Sequence, residues 1–279
     1  MKKLKKNPLS RVGLYLFVFV VSIVILYPYF VMFTNAAKSN QEMYATVGTV
    51  LPKEWHLENF IDVWSAAPIF KYLLNSVIVA GGATCIAILC GIPAAYALSR
   101  MKFRGKGFFL GAVIMSQMFS PVVLLVGINR MMSTIGLKDS LIGLILLNAA
   151  FNQAFAIWLL RGTFSSISPE MEQAAKIDGC NTLQAMTRIL LPVAAPGIIT
   201  ALIFVFINAW NEYTIALTLI STDAFKPITV GINAFYGFNM IQWQYLFATS
   251  IFATIPVVIL FLMIEKHLVA GLTSGGVKG

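Results

Sequence analysis

The chain has 279 residues, of which 58% are hydrophobic and only 11% are charged. Soluble domains carry about 25% charged residues, so this composition excludes an ordinary soluble domain and indicates an integral membrane protein. The net charge of +9 does not indicate nucleic-acid binding, because the basic residues form no patch interleaved with aromatic side chains.

The first predicted element is a membrane helix over residues 13–34. The basic segment MKKLKKNPLSR before it is typical of a signal peptide. The apolar run, however, is about 20 residues long, which is enough to cross a bilayer and longer than the core of a typical signal peptide. It ends in aromatic residues at Tyr27, Tyr29 and Phe30 rather than at a small-residue cleavage site. We therefore expect a retained anchor with an aromatic belt at its outer end.

Further apolar runs predict five more spans at residues 71–98, 108–128, 140–160, 196–220 and 245–265. Helices are expected, because a lipid-exposed backbone must satisfy its own hydrogen bonds and the alternating pattern of barrel strands is missing from the sequence. The predicted fold class is an all-α polytopic membrane protein with six transmembrane helices in a single transmembrane domain, residues 1–279. The long connection at residues 35–70 predicts a small extracytoplasmic lobe with short helices.

The distribution of Lys and Arg predicts the orientation of these spans. Fourteen of the 20 basic residues fall on the side that holds both termini and the loop at residues 161–195, and six fall on the other side. Because cytoplasmic connections carry the excess of positive charge, both termini and this loop are expected in the cytoplasm.

Two short helices are predicted inside the cytoplasmic loop. Ser168-Pro169-Glu170 is a strong helix start, since serine caps, proline suits the first turn and an acid suits the positive end of the helix dipole. The first helix should end at Asp178-Gly179, where glycine can adopt the left-handed conformation. Asn181 should cap the second helix, and Pro192 and Pro196 should break it before the fifth span.

The first loop helix is predicted to have two functional faces. Glu172 and Lys176 are spaced i, i+4 on a face expected to be exposed. Met171, Ala174 and Ala175 share another face, where the two alanines would allow a second backbone to approach closely. This spacing alone is compatible with an ordinary interfacial loop as well as with a docking surface.

The sequence SPEMEQAAKIDGCNTLQAMTRILLPVAAPG at residues 168–197 resembles a known loop. The positions that match its pattern are Ala174, Ala175, Asp178, Gly179, Ile189, Leu191 and Pro192. This is the EAA loop of the permease subunits of binding-protein-dependent ABC importers, which in that family sits in a groove on a separate ATPase. Gln173 stands where the family has a glutamate that pairs with a basic residue of the ATPase, and Glu172 lies one position earlier. Glutamine can donate and accept hydrogen bonds there but cannot form an ion pair.

Other motifs extend the resemblance over nearly the whole chain. They are NS at 75–76, AYALSR at 95–100, GL at 136–137, WLLR at 158–161, WNE at 210–212 and GLTSGGVKG at 271–279. They are similar to the second permease subunit of carbohydrate importers of the maltose type. The resemblance implies the type I ABC importer permease fold and import of an oligosaccharide, disaccharide or polyol across a bacterial inner membrane.

The same resemblance implies partners and coupling residues. The partners are a second permease subunit, forming a heterodimer, two ATPase subunits and an extracytoplasmic sugar-binding protein. The implied coupling residues are Glu172, Gln173, Ala174, Ala175, Asp178, Gly179 and Pro192. The chain has no GxxxxGK[ST] phosphate loop, so we expect no cofactor and no catalytic residue of its own, with ATP bound by the partner ATPase.

Polar side chains within the predicted spans are candidates for the translocation path. They are Asn75, Gln117, Gln153, Asn208, Asn211 and Glu212. The last three are spaced i, i+3, i+4 and would share one face of the fifth helix. Amides and carboxylates suit carbohydrate, although such amides also hold membrane helices together. Neither histidine has neighbours at metal-ligand spacing, so no metal site is predicted.

Two alternatives remain open from the sequence. A self-contained secondary transporter would need a coupling-ion carboxylate in the membrane, for which Glu212 is the clear candidate. A membrane-embedded enzyme is less favoured, because the sequence contains no HExxH motif and no Gly-x-Ser-x-Gly elbow.

Overall fold

The computed structural model describes residues 8–45, 48–237 and 240–274. Their α-helices are α1 (Pro8–Ala36), α2 (Asn40–Met43), α3 (Asn59–Ala66), α4 (Ile69–Arg100), α5 (Lys106–Ser116), α6 (Pro121–Thr134), α7 (Leu141–Ser166), α8 (Pro169–Ile177), α9 (Thr182–Ala185), α10 (Leu191–Trp210), α11 (Thr214–Leu219), α12 (Ile228–Gly231) and α13 (Trp243–Ser274). Apart from one isolated bridge between Tyr236 and Ile241, these residues contain no β-structure. The predicted basic N-terminus at residues 2–6 and the end of the tail at residues 275–279 lie outside the described residues.

The predicted all-α membrane fold is confirmed. Within the described ranges, five helices are long and apolar enough to cross a membrane, and a sixth crossing results if the bent pair α5 and α6 counts as one span. Helix α1 has a mean hydropathy of 2.5 over its most apolar window, none of which is buried within the chain. The long helices therefore satisfy their backbone hydrogen bonds internally while presenting apolar side chains outward.

The predicted third span at residues 108–128 is not a single straight helix. Helices α5 and α6 meet at an angle of 95°. The break lies at Ser120-Pro121, where Ser120 has extended backbone angles (φ −67°, ψ 129°) and Pro121 occupies the first turn of α6. Proline disfavours the helical conformation of the residue before it, so the apolar run alone does not produce a straight helix.

The fifth span also differs from its prediction, at both ends. A single helical segment runs from Thr182 to Trp210, so the expectation that Pro192 and Pro196 break the helix is wrong. A π-helical turn at Met186–Leu190 precedes the first of these prolines, and the Leu191 N–H donates to the Met186 carbonyl. The wider turn changes the hydrogen-bond register just ahead of Pro192, whose missing N–H then falls in the first turn of α10.

The described residues form two compact units. The sequence predicts one transmembrane domain. The first unit combines the described residues up to Pro68 with Ile232–Thr254. In it the buried Asn59 side chain donates to the carbonyls of Ala36 and Lys38, both at 2.9 Å. These bonds fix α3 against the end of α1 and so hold together the predicted lobe at residues 35–70.

The second unit contains Ile69–Gly231 and the part of the chain that follows Thr254. Its core forms where α4, α7 and α10 pack together. Buried small residues recur along α4 at Ala83, Ala87, Gly91 and Ala95. This spacing of four residues puts them on one helix face, where small side chains allow membrane helices to approach closely.

Helices α7 and α10 pack closely around Gly197. A Cβ atom on Gly197 would lie 2.3 Å from Thr163 Cγ2, whereas a Cβ on Gly162 would meet nothing within 4 Å. We expect Gly197→Ala to lower the stability of the detergent-solubilised protein by about 1–3 kcal/mol through overpacking, measured by thermal unfolding. Gly162→Ala is the matched control and should keep or raise the melting temperature, because alanine favours a helix interior more than glycine does. Equal effects of the two substitutions would contradict this packing.

Candidate functional site

The first loop helix, α8, begins and ends as predicted. The Ser168 hydroxyl accepts a hydrogen bond from the Glu170 N–H at 3.3 Å, and proline occupies the first turn. At the other end Gly179 has a φ of 88°. The Cys180 N–H donates to the Ala175 carbonyl and the Gly179 N–H to the Lys176 carbonyl, which together form a Schellman motif. The reversal after α8 is therefore fixed by backbone hydrogen bonds.

The cap of the second loop helix is also confirmed. The Asn181 side chain accepts from the Gln184 N–H at 2.8 Å, and the Gln184 side chain accepts from the Asn181 N–H at 2.9 Å. This reciprocal pair is a capping box, in which two otherwise unpaired N–H groups are satisfied. The two loop helices are thus joined by a short, doubly capped turn.

The faces of α8 differ from the prediction. Glu172, expected on an exposed face, is buried, and of the two alanines only Ala174 is exposed while Ala175 is buried. Gln173 and Asp178 are exposed. The inner side of α8 therefore carries Glu172 and Ala175, and its outer side carries Gln173, Ala174 and Asp178.

Apolar side chains add to the outer surface of the loop. Ile177 is 86% exposed, Leu183 64% and Met171 42%. Pro192 is also exposed at the start of α10. We call Met171, Gln173, Ala174, Ile177 and Leu183 the outer loop surface.

Four side chains meet on the inner side of α8, and we call Tyr96, Arg100, Glu172 and Lys176 the Glu172 cluster. The Tyr96 hydroxyl donates to Glu172 Oε1 at 2.5 Å, and Lys176 Nζ lies 3.0 Å from the same oxygen. Arg100 Nε lies 3.5 Å from Glu172 Oε2. The predicted i, i+4 pair of Glu172 and Lys176 is confirmed, but it is part of a larger network that reaches α4.

The electrostatics of the Glu172 cluster favour the ionised carboxylate. Burial raises the pKa of Glu172, but this effect is outweighed by hydrogen bonds from Tyr96 and Lys176 and by the positive charges of Lys176 and Arg100. The net pKa lies below the ordinary value of 4.5. The carboxylate is thus charged at neutral pH although its side chain is only 9% exposed.

Asn75 was a candidate for the translocation path, and its amide is engaged within the chain. Its Nδ2 donates to the carbonyls of Ala224 and Lys226, at 3.0 and 2.9 Å. The next residue, Ser76, accepts from the Ile228 N–H at 2.8 Å. These bonds hold the segment around residues 224–228 against α4. Asn75 therefore has the alternative role named above, in which an amide holds parts of the protein together.

Gln117 and Gln153 occupy different positions in the second unit. Gln117 is the exposed C-cap of α5, at the 95° bend before α6. Gln153 is half-buried on α7 beside Gly91 of α4. An apolar cavity of about 310 Å³ also adjoins the bend, with Phe119 and Phe151 in its wall. Gln117 and Gln153 do not line this cavity, and the cavity therefore does not bring these two candidate residues together.

The prediction that Asn208, Asn211 and Glu212 share one helix face is wrong. Helix α10 ends at Trp210, and Asn211 is its C-cap. Glu212 lies beyond the end, where its carboxylate accepts from the N–H groups of Ile215 and Ala216 at 2.6 and 3.0 Å. It therefore caps the start of α11, whereas Asn208 and Asn211 are exposed.

The roles of Tyr96 and Arg100 were not predicted from the sequence, in which both residues appear only within the AYALSR motif. A signal for them was present, because the two residues are spaced i, i+4 at the end of a long apolar helix and therefore share a face. A tyrosine and an arginine on one face can together pair with a carboxylate. Which carboxylate they meet depends on how α8 folds back, and this spacing does not encode it.

The comparisons with known proteins match this architecture. Residues 87–274 match the family described as binding-protein-dependent transport system inner membrane component. The chain belongs to this family. It is 33% identical to the inner membrane ABC transporter permease protein YcjP of Escherichia coli K12, over 98% of this chain and 99% of the relative. It is 36% identical to the trehalose transport system permease protein SugB of Mycobacterium tuberculosis, over 83% of this chain and 85% of the relative.

A solved structure shares the fold of this family member. It is a bacterial ABC transporter involved in the import of the acidic polysaccharide alginate. The alignment has a TM-score of 0.78 with 21% sequence identity, and covers 95% of this chain and 99% of the other. The predicted type I importer permease fold is thereby confirmed.

Gly179 provides a prediction about the turn between the loop helices. Because an L-residue in the left-handed region costs about 1–2 kcal/mol, Gly179→Ala should open the turn more often. Hydrogen exchange of the amides at residues 179 and 180 should become roughly 5–30-fold faster. Gly179→Asn, which tolerates this conformation better, should show a smaller increase. Unchanged exchange in the alanine variant would contradict the Schellman turn.

Glu172 provides a prediction about pH. A carboxylate whose pKa is lowered by folding contributes stability above its unfolded value, and this contribution is lost as the pH falls through the folded value. The melting temperature of the wild-type protein should therefore decrease as the pH falls below 4.5, the ordinary pKa of a glutamate. Glu172→Gln should be less stable at neutral pH and should lose less on acidification.

The matched control for the pH measurement is Glu170→Gln, on the exposed side of the same helix. It should keep the pH profile of the wild type. Parallel profiles for the wild type and Glu172→Gln would show that the carboxylate gains nothing from its neighbours.

Proposed function

We propose that this permease subunit imports a sugar, an oligosaccharide, disaccharide or polyol, using ATP hydrolysed by a separate protein. The proposal draws on its family and on the trehalose permease among its relatives. The chain itself is a non-catalytic subunit and needs no cofactor of its own, with ATP bound by the partner ATPase. It forms half of the translocation path.

The outer loop surface supports ATPase docking. This surface includes the exposed large apolar side chains of Met171, Ile177 and Leu183, with Ile177 at 86% exposure. When a partner covers apolar residues that are exposed on a charged, capped loop, their removal from water stabilises the complex. Ala174 lies among them with a side chain small enough for close backbone contact. This combination is the observation that carries the proposal.

The proposed assembly contains a second permease, two ATPase subunits and an extracytoplasmic sugar-binding protein. Gln173 sits on the outer loop surface, where it would offer hydrogen bonds instead of an ion pair. We place both termini and the coupling loop in the cytoplasm of a bacterium, with the protein in the inner membrane, because of the distribution of its Lys and Arg residues.

The proposed path is formed with the partner permease. Gln117, Asn208 and Asn211 are exposed within this chain, and exposed amides in a membrane subunit require a polar surrounding from water, substrate or another protein. Glu212 is engaged in capping α11, which weakens its candidacy as the coupling carboxylate of a secondary transporter.

Transport in proteoliposomes distinguishes this function from the alternative. The chain would be reconstituted with the ATPase, second permease and sugar-binding protein encoded beside it. Uptake of the radiolabelled sugar held by that binding protein should require ATP and the ATPase. Uptake driven by an ion gradient without any ATPase would instead establish a secondary transporter.

The outer loop surface gives a mutational prediction. Ala174→Arg should weaken ATPase association at least about tenfold, or ~1.4 kcal/mol, because a bulky cation blocks close approach. Membrane insertion should be unaffected, since Ala174 is exposed within the chain. Co-purification of the ATPase with the permeases measures the effect, and Ala174→Ser is the size-matched control. Wild-type association by the arginine variant would contradict docking at this surface.

A further inference from the structure

The inner side of α8 carries a charged residue whose position the docking surface does not explain. Glu172 and Ala175 are the buried residues of α8, a helix that the structure describes in full. The Glu172 side chain is 9% exposed and points toward α4, away from the outer loop surface. A residue that only contacted a partner would not need to be buried within its own chain.

The contacts of Glu172 join α8 to the end of a long membrane helix. The Tyr96 hydroxyl donates to Oε1 at 2.5 Å, and the guanidinium of Arg100 pairs with Oε2. Arg100 Nη2 also donates to the carbonyl of Ile167 at 2.7 Å. Arg100 therefore contacts both Ile167, the C-cap of α7, and the Glu172 carboxylate of α8.

The end of α4 is well placed to carry a displacement inward. Tyr96 is 5% exposed and belongs to the apolar core that α4 forms with α7 and α10. Close-packed interiors transmit strain because they have little free volume. A movement of α8 that is fixed to Tyr96 and Arg100 would therefore act on this helix packing.

We propose that Glu172, held by Tyr96 and Arg100, is a positioning residue that couples movement of α8 to α4. The proposal rests on the proposed function and assigns to Glu172 a role inside the subunit, distinct from ATPase contact at the outer loop surface. The Glu172 cluster transmits the displacement that the docked ATPase imposes. Without it, the ATPase still docks, but its motion is absorbed at the α8–α4 contact.

Removing the charge of Glu172 tests its proposed positioning role. In Glu172→Gln the side chain keeps its size, but Arg100, 11% exposed, loses its ionic partner. The outer loop surface is unchanged. Glu170→Gln removes the same charge from the exposed first turn of the same helix and is the matched control. Tyr96→Phe removes one hydrogen bond and leaves every charge in place.

The experiment uses the complete transporter in proteoliposomes, with its ATPase, second permease and sugar-binding protein. Three quantities are measured: ATPase association, ATP hydrolysis stimulated by the loaded binding protein, and sugar imported per ATP hydrolysed. For Glu172→Gln, association should stay within about twofold of the wild type. Sugar imported per ATP should fall about tenfold, within the roughly 5–150-fold range of coupling between sites.

Two further variants test the network rather than the single residue. Arg100→Lys keeps the charge and should retain part of the sugar imported per ATP, whereas Arg100→Met should behave like Glu172→Gln. Tyr96→Phe combined with Glu172→Gln should be no worse than Glu172→Gln alone, because both act on one contact.

The outcomes separate this proposal from the proposed function. If the wild-type chain binds no ATPase, the proposed function fails. If the wild type is coupled and Glu172→Gln imports as much sugar per ATP, the positioning role is overturned while the importer stands. Loss of ATPase association in Glu172→Gln would also overturn it, since Glu172 would then act at the docking surface. Should Glu172→Gln not fold, Tyr96→Phe decides: a lower import ratio with normal association supports the proposal, and a normal ratio overturns it.

Discussion

Close packing of α4 against α7 and α10 is the constraint on which the second unit depends. Lipid tails are as apolar as the helices, so burial of apolar surface contributes little to association and close contact must contribute instead. The small residues Ala87, Gly91 and Ala95 on α4 provide this contact. Gly197 of α10 does the same beside Thr163. Polar side chains such as Asn75 and Glu172 fasten connecting segments to this packed frame.

The fasteners follow one physical rule. A buried polar side chain must be paired, and the pairings of Asn75 and Glu172 each tie a connecting segment to α4. Asn75 holds the segment near residue 224, and Glu172 holds α8. The half-buried Asp139, just before α7, accepts from the N–H groups of Ser221 and Thr222 and so joins two connecting segments. Hydrogen bonds from Thr222 are the main cause that keeps the pKa of Asp139 below its usual range. These connections are thus held by side-chain hydrogen bonds or ion pairs to other parts of the chain.

The two sides of α8 are suited to different tasks, although the sequence motif presents their residues as one continuous stretch. The outer loop surface has the exposure needed for binding a partner, while the Glu172 cluster has the burial needed for transmitting force. Separating Glu172 from Tyr96 and Arg100 would leave a buried carboxylate without these partners, which is unfavourable, so the contact resists being pulled apart when the loop moves. A helix of nine residues can serve both tasks because its two sides face different surroundings.

Much was determined by the sequence itself: the number of apolar runs, the all-α fold, the family, and the caps at Ser168, Gly179 and Asn181. These features are local, since hydropathy, capping and backbone preference act within a few residues. Tertiary structure decided the passage of the helix through Pro192 and the end of α10 ahead of Glu212. It also decided that Glu172 faces inward, because its partners Tyr96 and Arg100 lie more than 70 residues away along the chain. Only folding brings such distant groups together, and a burial that depends on them is not encoded in local spacing.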